Sequence, residues 1–240
     1  MPQRNHERRR STALINLLRK GLPPLPARMQ KLPIDKRGYP VPWFVQWVDD
    51  TPNFQLVSPQ RFRQAIKFGS CWICGDRIGV RKTFVMGTLN IINRVTSEPA
   101  CHYDCARFAA QACPFLILPA AKYKEMPEGA TKHADITGRN PGVVALWTTK
   151  TFKIQPASDG KQLIVVSDPV AVDWYAKGKP ASRAAVKESL DAGLPLIYGP
   201  LSAEPLKLQR IAGLVAFENA YAKAQKYLPN ADNAMFADGF

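Results

Sequence analysis

Two short cysteine-bearing pairs constrain this chain more than anything else in its 240 residues. The first, Cys71-Trp-Ile-Cys74-Gly75, has the form of a zinc knuckle: two thiolates on a tight turn, followed by the one residue that tolerates positive φ freely. The second, His102-Tyr-Asp-Cys105, repeats the two-residue gap just ahead of a helix expected over residues 106–113. Positions i and i+3 in a first helical turn share a face. Cys71, Cys74, His102 and Cys105 can therefore close a tetrahedron around Zn2+. Read as buried small hydrophobes, the cysteines leave two regular spacings unexplained. Cys101, adjacent to His102, can replace it in an all-thiolate set, and both sets stand at this point. Cys113 lies eight residues beyond Cys105, about 12 Å further along a continuous helix, and reads as core.

Between the pairs, residues 77–80, 83–89 and 91–92 are rich in β-forming residues and suggest a hairpin. Knuckle, hairpin and ligands at a helix start follow the order of a treble-clef zinc module. Four protein ligands leave no vacant position for water or substrate, so the expected zinc is structural. Treble clefs also carry nuclease sites built on further histidines. Here His6 lies in the N-terminal arm and His133 in a polar loop, which leaves such a site without ligands. No GxxxxGK[ST], GxGxxG, HExxH or GxSxG pattern occurs, and these are the signatures of phosphate-cradling loops, zincins and hydrolase elbows. Asp168, Asp173, Arg183 and Glu188 are the acid/base candidates of the C-terminal half, although an Asp before Pro is first of all a helix cap. The chain is not read as an enzyme from these groups alone.

The formal charge is +14, and its location decides its meaning. Residues 1–37 hold +8, including Arg8, Arg9 and Arg10, and residues 61–110 hold +5. Clustered positive charge favours polyanions by counterion release, while a solvated basic tail is the plainer reading. Arg77, Arg81, Lys82 and Arg94 run along the expected hairpin with Trp72 and Phe84 interleaved, a pattern suited to phosphate contact and base stacking. An ordinary solvated hairpin with its aromatics in the module core accounts for the same residues. DNA or RNA is the expected partner class, with a host or phage protein as the other.

Five cysteines in a chain this long are too few for a disulfide scaffold and fit metal ligands in a reducing compartment. The longest apolar run, residues 114–121, spans eight residues with two prolines, far short of a membrane span. The apolar stretch near the N-terminus is too short for a secretory signal and lacks a cleavage motif. A cytoplasmic protein is expected.

The overall expectation is α+β: a basic, Pro-rich arm over residues 1–59, a treble-clef-like zinc module over 60–120, a linker over 121–142 and an α+β module over 143–240. A short helix is expected at 11–20, stopped at Gly21. Eight prolines between residues 22 and 59 exclude long helices there. Trp43, Phe44 and Trp47 are too apolar for a free linker and should pack on a folded body or, alternatively, meet a partner. Further elements are a helix at 60–68, strands at 143–149, 151–155 and 162–167, and a turn at 158–160. Helices are expected from Asp168-Pro169 to residue 177, over 182–192, and from 202 to about 227 with Leu208, Ile211, Val215 and Ala222 as apolar face.

Residues 87–116, with Cys71-Trp-Ile-Cys74-Gly75 ahead of them, resemble uncharacterised proteins of bacteria and their phages that share a CxxCG, NR, SEPP, HxxCA and CPFL pattern. Residues 172–196 are similar to the C-terminal part of the same proteins. This chain departs in having Ala100 at the second proline position and Cys101 before the histidine. The resemblance implies a metal-binding protein of phage or mobile-element type and implies no activity.

Overall fold

The computed structural model describes residues 17–118, 142–156, 162–195 and 207–230, with side chains from residue 213 onward in the last stretch. The chain is α+β. A four-stranded antiparallel sheet forms its middle: β3 (Lys82–Gly87), β5 (Val143–Thr149), β8 (Ala171–Ala176) and β9 (Lys179–Pro180), paired in that order. A second antiparallel sheet orders β4 (Val95–Thr96), β7 (Gln162–Val166) and β6 (Phe152–Pro156). β1 (Val45–Val48) and β2 (Thr51–Val57) form a separate hairpin. Its turn is Asp49-Asp50 with both φ positive, at 46° and 57°, the mirror-image turn that matches strand twist.

The first sheet separates two cores. Side chains alternate across a strand, so Val144 and Leu146 of β5, Val85 of β3 and Tyr175 of β8 face one way, toward the knuckle. Val143, Ala145 and Trp147, with Phe84, Met86 and Trp174, face the other. Every residue of β5 is buried, which is why its sequence, VVALWTT, is apolar without a polar alternation. The far core is closed by α2 (Thr88–Asn93), α5 (Arg183–Asp191), α6 (Lys207–Ala224) and Ile164 and Val166 of the second sheet. The near core is closed by α1 (Pro59–Phe68), α3 (Tyr103–Ala112) and the segment leading to β1.

That leading segment is folded where it is described. Met29, Leu32 and Val41 are buried, and Arg19 N–H donates to the Gly38 carbonyl at 3.0 Å. Trp43 and Phe44 pack against the near core, as their apolarity suggests, while Trp47 and Val48 stay exposed. α1 begins at a Ser58 cap that accepts from Arg61 N–H and ends at Gly69 in the left-handed region. Arg61, its charge disfavoured by burial, donates from Nη1 to the carbonyls of Trp43 and Val45 and ties α1 to the hairpin. Strands over 143–149, 152–156 and 162–166 and helix α5, capped by Ser182, lie within a residue or so of the sequence reading.

Several expectations are corrected. The hairpin between the ligand pairs does not form: Arg77 makes only an isolated bridge to Ser70, β3 pairs with β5, and residues 88–93 are the helix α2 with Ile91 and Ile92 buried in the far core. Both sheets thus take strands from either side of residues 119–141. The helix expected from Asp168-Pro169 is strand β8, because Val172 and Trp174 complete the far face of the sheet beside Trp147 and Ala145. The pairing outweighs a capping signal worth about 1 kcal/mol. On α6, Val215 and Ala222 are exposed, and the packed residues are Phe217, Ala220, Tyr221 and Ala224. Leu208 and Ile211 lie where no side chains are described. Of the helix expected at 11–20 only residues 17–20 are described, and 18–20 are not helical. Arg8, Arg9 and Arg10, the linker up to residue 141 and the 158–160 turn lie outside the described residues. Among the described residues, no helix is long and apolar enough to cross a membrane.

Candidate metal centre

The knuckle is built by backbone bonds that its sequence permits. Gly75 N–H donates to the Cys71 carbonyl at 2.8 Å and Cys71 N–H to the Asp76 carbonyl at 2.7 Å. Gly75 sits at φ +81°, and a Cβ there would lie 2.8 Å from the Trp43 ring, so both the turn and the packing require glycine. Trp72 is buried between the rings of Phe44, stacked at 4.8 Å, and Phe62, edge-on at 5.8 Å. The segment before α3 is threaded between knuckle and sheet: Trp72 N–H donates to the Ala100 carbonyl, and Cys101 and Thr83 exchange backbone bonds of 2.7 and 3.0 Å. This threading delivers His102, the N-terminal flanking residue of α3, and Cys105, in its first turn, to the knuckle thiols.

The donor atoms of Cys71, Cys74, His102 and Cys105 lie within 4.8 Å of one another, and the three cysteines are buried. His102 Nδ1 is 3.4 Å from Cys74 Sγ. Tetrahedral Zn2+ with sulfur at about 2.3 Å sets neighbouring donors roughly 3.5–4 Å apart, so the four residues can hold such an ion with little adjustment. The other ring nitrogen, Nε2, lies 3.1 Å from the Arg77 carbonyl. A carbonyl only accepts, so Nε2 carries the proton and Nδ1 presents its lone pair to the thiols, the arrangement that fixes a metal-binding histidine. Cys101 is buried with its Sγ toward the Pro99 carbonyl at 3.9 Å, and its backbone is tied to Thr83. The four-residue cluster takes His102 and omits Cys101. Cys113 is half-buried where α3 meets α4 (Pro114–Ile117).

The electrostatics of the cluster set its thiols against one another. Burial opposes ionisation of Cys71, but its interactions with Cys101, Cys105, Cys74 and His102 outweigh it and hold its thiol well below the ordinary range. The same bonding to Cys71 and Cys74, with burial, pushes the Cys105 thiol up. Cys74 has a favourable bond from Cys105, yet Cys71 and burial push it up to about 12. His102 is raised by its bond to Cys71, against burial. One thiolate is thus favoured and three repel; a divalent ion at the centre removes that repulsion.

The basic residues divide by environment. Arg77 and Arg81 are exposed. Lys82 Nζ donates to the carbonyls of Val80 and Lys150, both at 3.1 Å, and closes the 79–80 turn. Arg94 pairs with Asp168 at 2.7 Å, bonds Tyr227 Oη at 3.1 Å and lies over the Trp147 and Tyr227 rings. It braces α2 against the end of α6. Trp72 and Phe84 are buried, Phe84 edge-on to Phe152, so the two aromatics read as stacking partners for bases instead fill the cores. The acid/base candidates have separate partners: Asp168 the Arg94 brace, Arg183 the Pro229 carbonyl, Asp173 the phenol of Tyr103, while Glu188 is exposed on α5. Sequence reasoning passed over Phe68, an exposed aromatic at the end of α1; its place beside Gly69, a helix stop, was the available signal.

No protein-family model, curated protein or solved structure matches the chain.

Proposed function

We propose that the Cys71, Cys74, His102 and Cys105 centre holds a structural Zn2+ and that this ion orders a basic surface for binding nucleic acid or a nucleic-acid-processing complex. The observation that carries the reading is the bond between His102 Nε2 and the Arg77 carbonyl. A ligand of the ion is thereby tied to the backbone of a loop whose Arg77 and Arg81 are exposed and have no ion pair among the described residues. The nearby acids are already neutralised: Asp76 by Lys31 and Asp104 by Arg28. The loop therefore keeps its positive charge for a polyanion. Arg8, Arg9 and Arg10 would add to the footprint. In ligand supply, knuckle first and helix start second, the centre is treble-clef-like even though β3 pairs elsewhere. A bacterial cytoplasm, where thiols stay reduced, is the compartment this reading assigns to the chain.

A second reading, a zinc-stabilised protein that docks on a host or phage protein, is favoured by one feature: Trp47 and Val48 are both exposed on β1. One experiment separates the two. Metal analysis of the purified protein is combined with binding to random double- and single-stranded nucleic acid across a salt series. The first reading expects one zinc and a steep log–log salt slope that flattens by roughly 0.7–0.9 per neutralised phosphate-contacting cation in Arg77→Gln and Arg81→Gln. One zinc with no binding at low salt overturns it in favour of the protein partner.

A further inference from the structure

Phe68 closes α1 with more than half its surface in solvent, 58%, although apolar side chains line the near core earlier in the same helix at Phe62 and Ala65. A cation lies against the ring. Lys67 Nζ lies 5.3 Å from the Phe68 ring centroid. The next residue, Gly69, accepts at its carbonyl from Ile78 N–H at 2.8 Å, and Ser70 bridges Arg77. The end of α1 is thereby fastened alongside the loop that carries Arg77, Val80, which is 70% exposed, and Arg81. An exposed ring with Lys67 against it, at a helix end tied by its backbone to a loop whose Arg77 and Arg81 have no acidic partner among the described residues, suits an unpaired base linked to phosphates. A duplex offers phosphates but keeps its base faces stacked inside, out of reach of Phe68.

Building on the nucleic-acid reading, we infer that Phe68 is a stacking platform and that Lys67, Phe68, Arg77 and Arg81 form a site for single-stranded nucleic acid. The ring takes the face of an unpaired base, the ammonium and guanidinium groups take the flanking phosphates, and the zinc centre holds the two halves in register through the knuckle. The contacts use phosphates and base faces, so DNA and RNA strands share the site.

The test measures anisotropy of fluorescein-labelled dT15, rU15 and a 15-base-pair duplex with the full-length protein at 50–300 mM salt. Phe68→Ala should weaken dT15 and rU15 binding about tenfold, leave the duplex unchanged and leave the salt slope unaltered. Phe68→Trp should keep or raise single-strand affinity, which separates stacking from folding; circular dichroism and zinc content of each variant check the fold. If Phe68→Ala binds dT15 like the wild type while Arg77→Gln and Arg81→Gln weaken it, the platform is overturned and the basic surface survives. If the wild type binds none of the three probes at 50 mM salt, the nucleic-acid reading falls with it.

Discussion

The two faces of the central sheet solve the same problem by different means. The far core is made of Phe84, Met86, Trp147, Ile164 and Trp174, large side chains that exclude water over a wide area. The near core has its own buried apolar residues, Met29, Leu32, Trp72, Phe108 and Leu146 among them, but it also gathers four cysteines, Cys71, Cys74, Cys101 and Cys105, with half-buried His102 beside them. Thiols bury little area, and three facing one another within 4.8 Å repel once ionised. The far side is held chiefly by apolar burial; the near side also gathers four donors that could hold a metal ion, and such an ion would cross-link it. The two sides should therefore fail separately.

The largest expected effect is on the near side. Cys74→Ser should reduce zinc from one equivalent to near zero and cost on the order of 5 kcal/mol or more, because the binding energy of a structural ion is folding energy. Inductively coupled plasma metal analysis with denaturant melts checks this; full zinc retention would sever the link between ligand and stability. Next comes the far side. Trp147 is fully buried and donates from Nε1 to the Ser167 carbonyl at 2.9 Å. Trp147→Ala should lower global stability by about 3–5 kcal/mol while the folded fraction keeps its zinc. A concomitant drop in stoichiometry would show that the two cores are one cooperative unit.

Gly75→Ala probes the joint between knuckle and leading segment. Positive φ together with the 2.8 Å approach to Trp43 should cost roughly 1–3 kcal/mol and raise the rate of zinc loss to a chelator without changing stoichiometry. The smallest effect is at Asp168, whose carboxyl is held below its usual range by the Tyr227 hydroxyl and then by Arg94. A depressed native pKa contributes stability above the unfolded-state value, near 3.9, and that contribution disappears as pH falls through the native value. Asp168→Asn should thus be slightly less stable than wild type at pH 7 and equal to it in strong acid. A gap that persists in acid would assign the loss to packing at Tyr227.

What could be read in the sequence follows the range of the interaction responsible. Cys71, Cys74, His102 and Cys105 occur in two local pairs, and spacing alone marks them as donors. α1, β5 and α5 carry their own start, stop or composition. β8 is not legible locally because Asp168-Pro169 imitates a helix start, while the residues that decide it, Ala145 and Trp147, are more than twenty positions away. The hairpin failed likewise: β3 finds its partner in β5, across the 119–141 segment. Trp72 and Phe84 have aromatic character that suits either a base or a core. Only their burial, with Phe44 over one and Phe152 against the other, settles the role.

Hydrogen exchange on the zinc-loaded protein, repeated after chelation, tests the central claim most directly. The account predicts that chelation strips protection from the amides of Cys71, Gly75 and Ile78, which close the knuckle and its loop, while the amides of β5 stay protected. Unchanged protection across residues 71–82 in the metal-free protein would contradict it, because the ion would then not hold the basic loop in place.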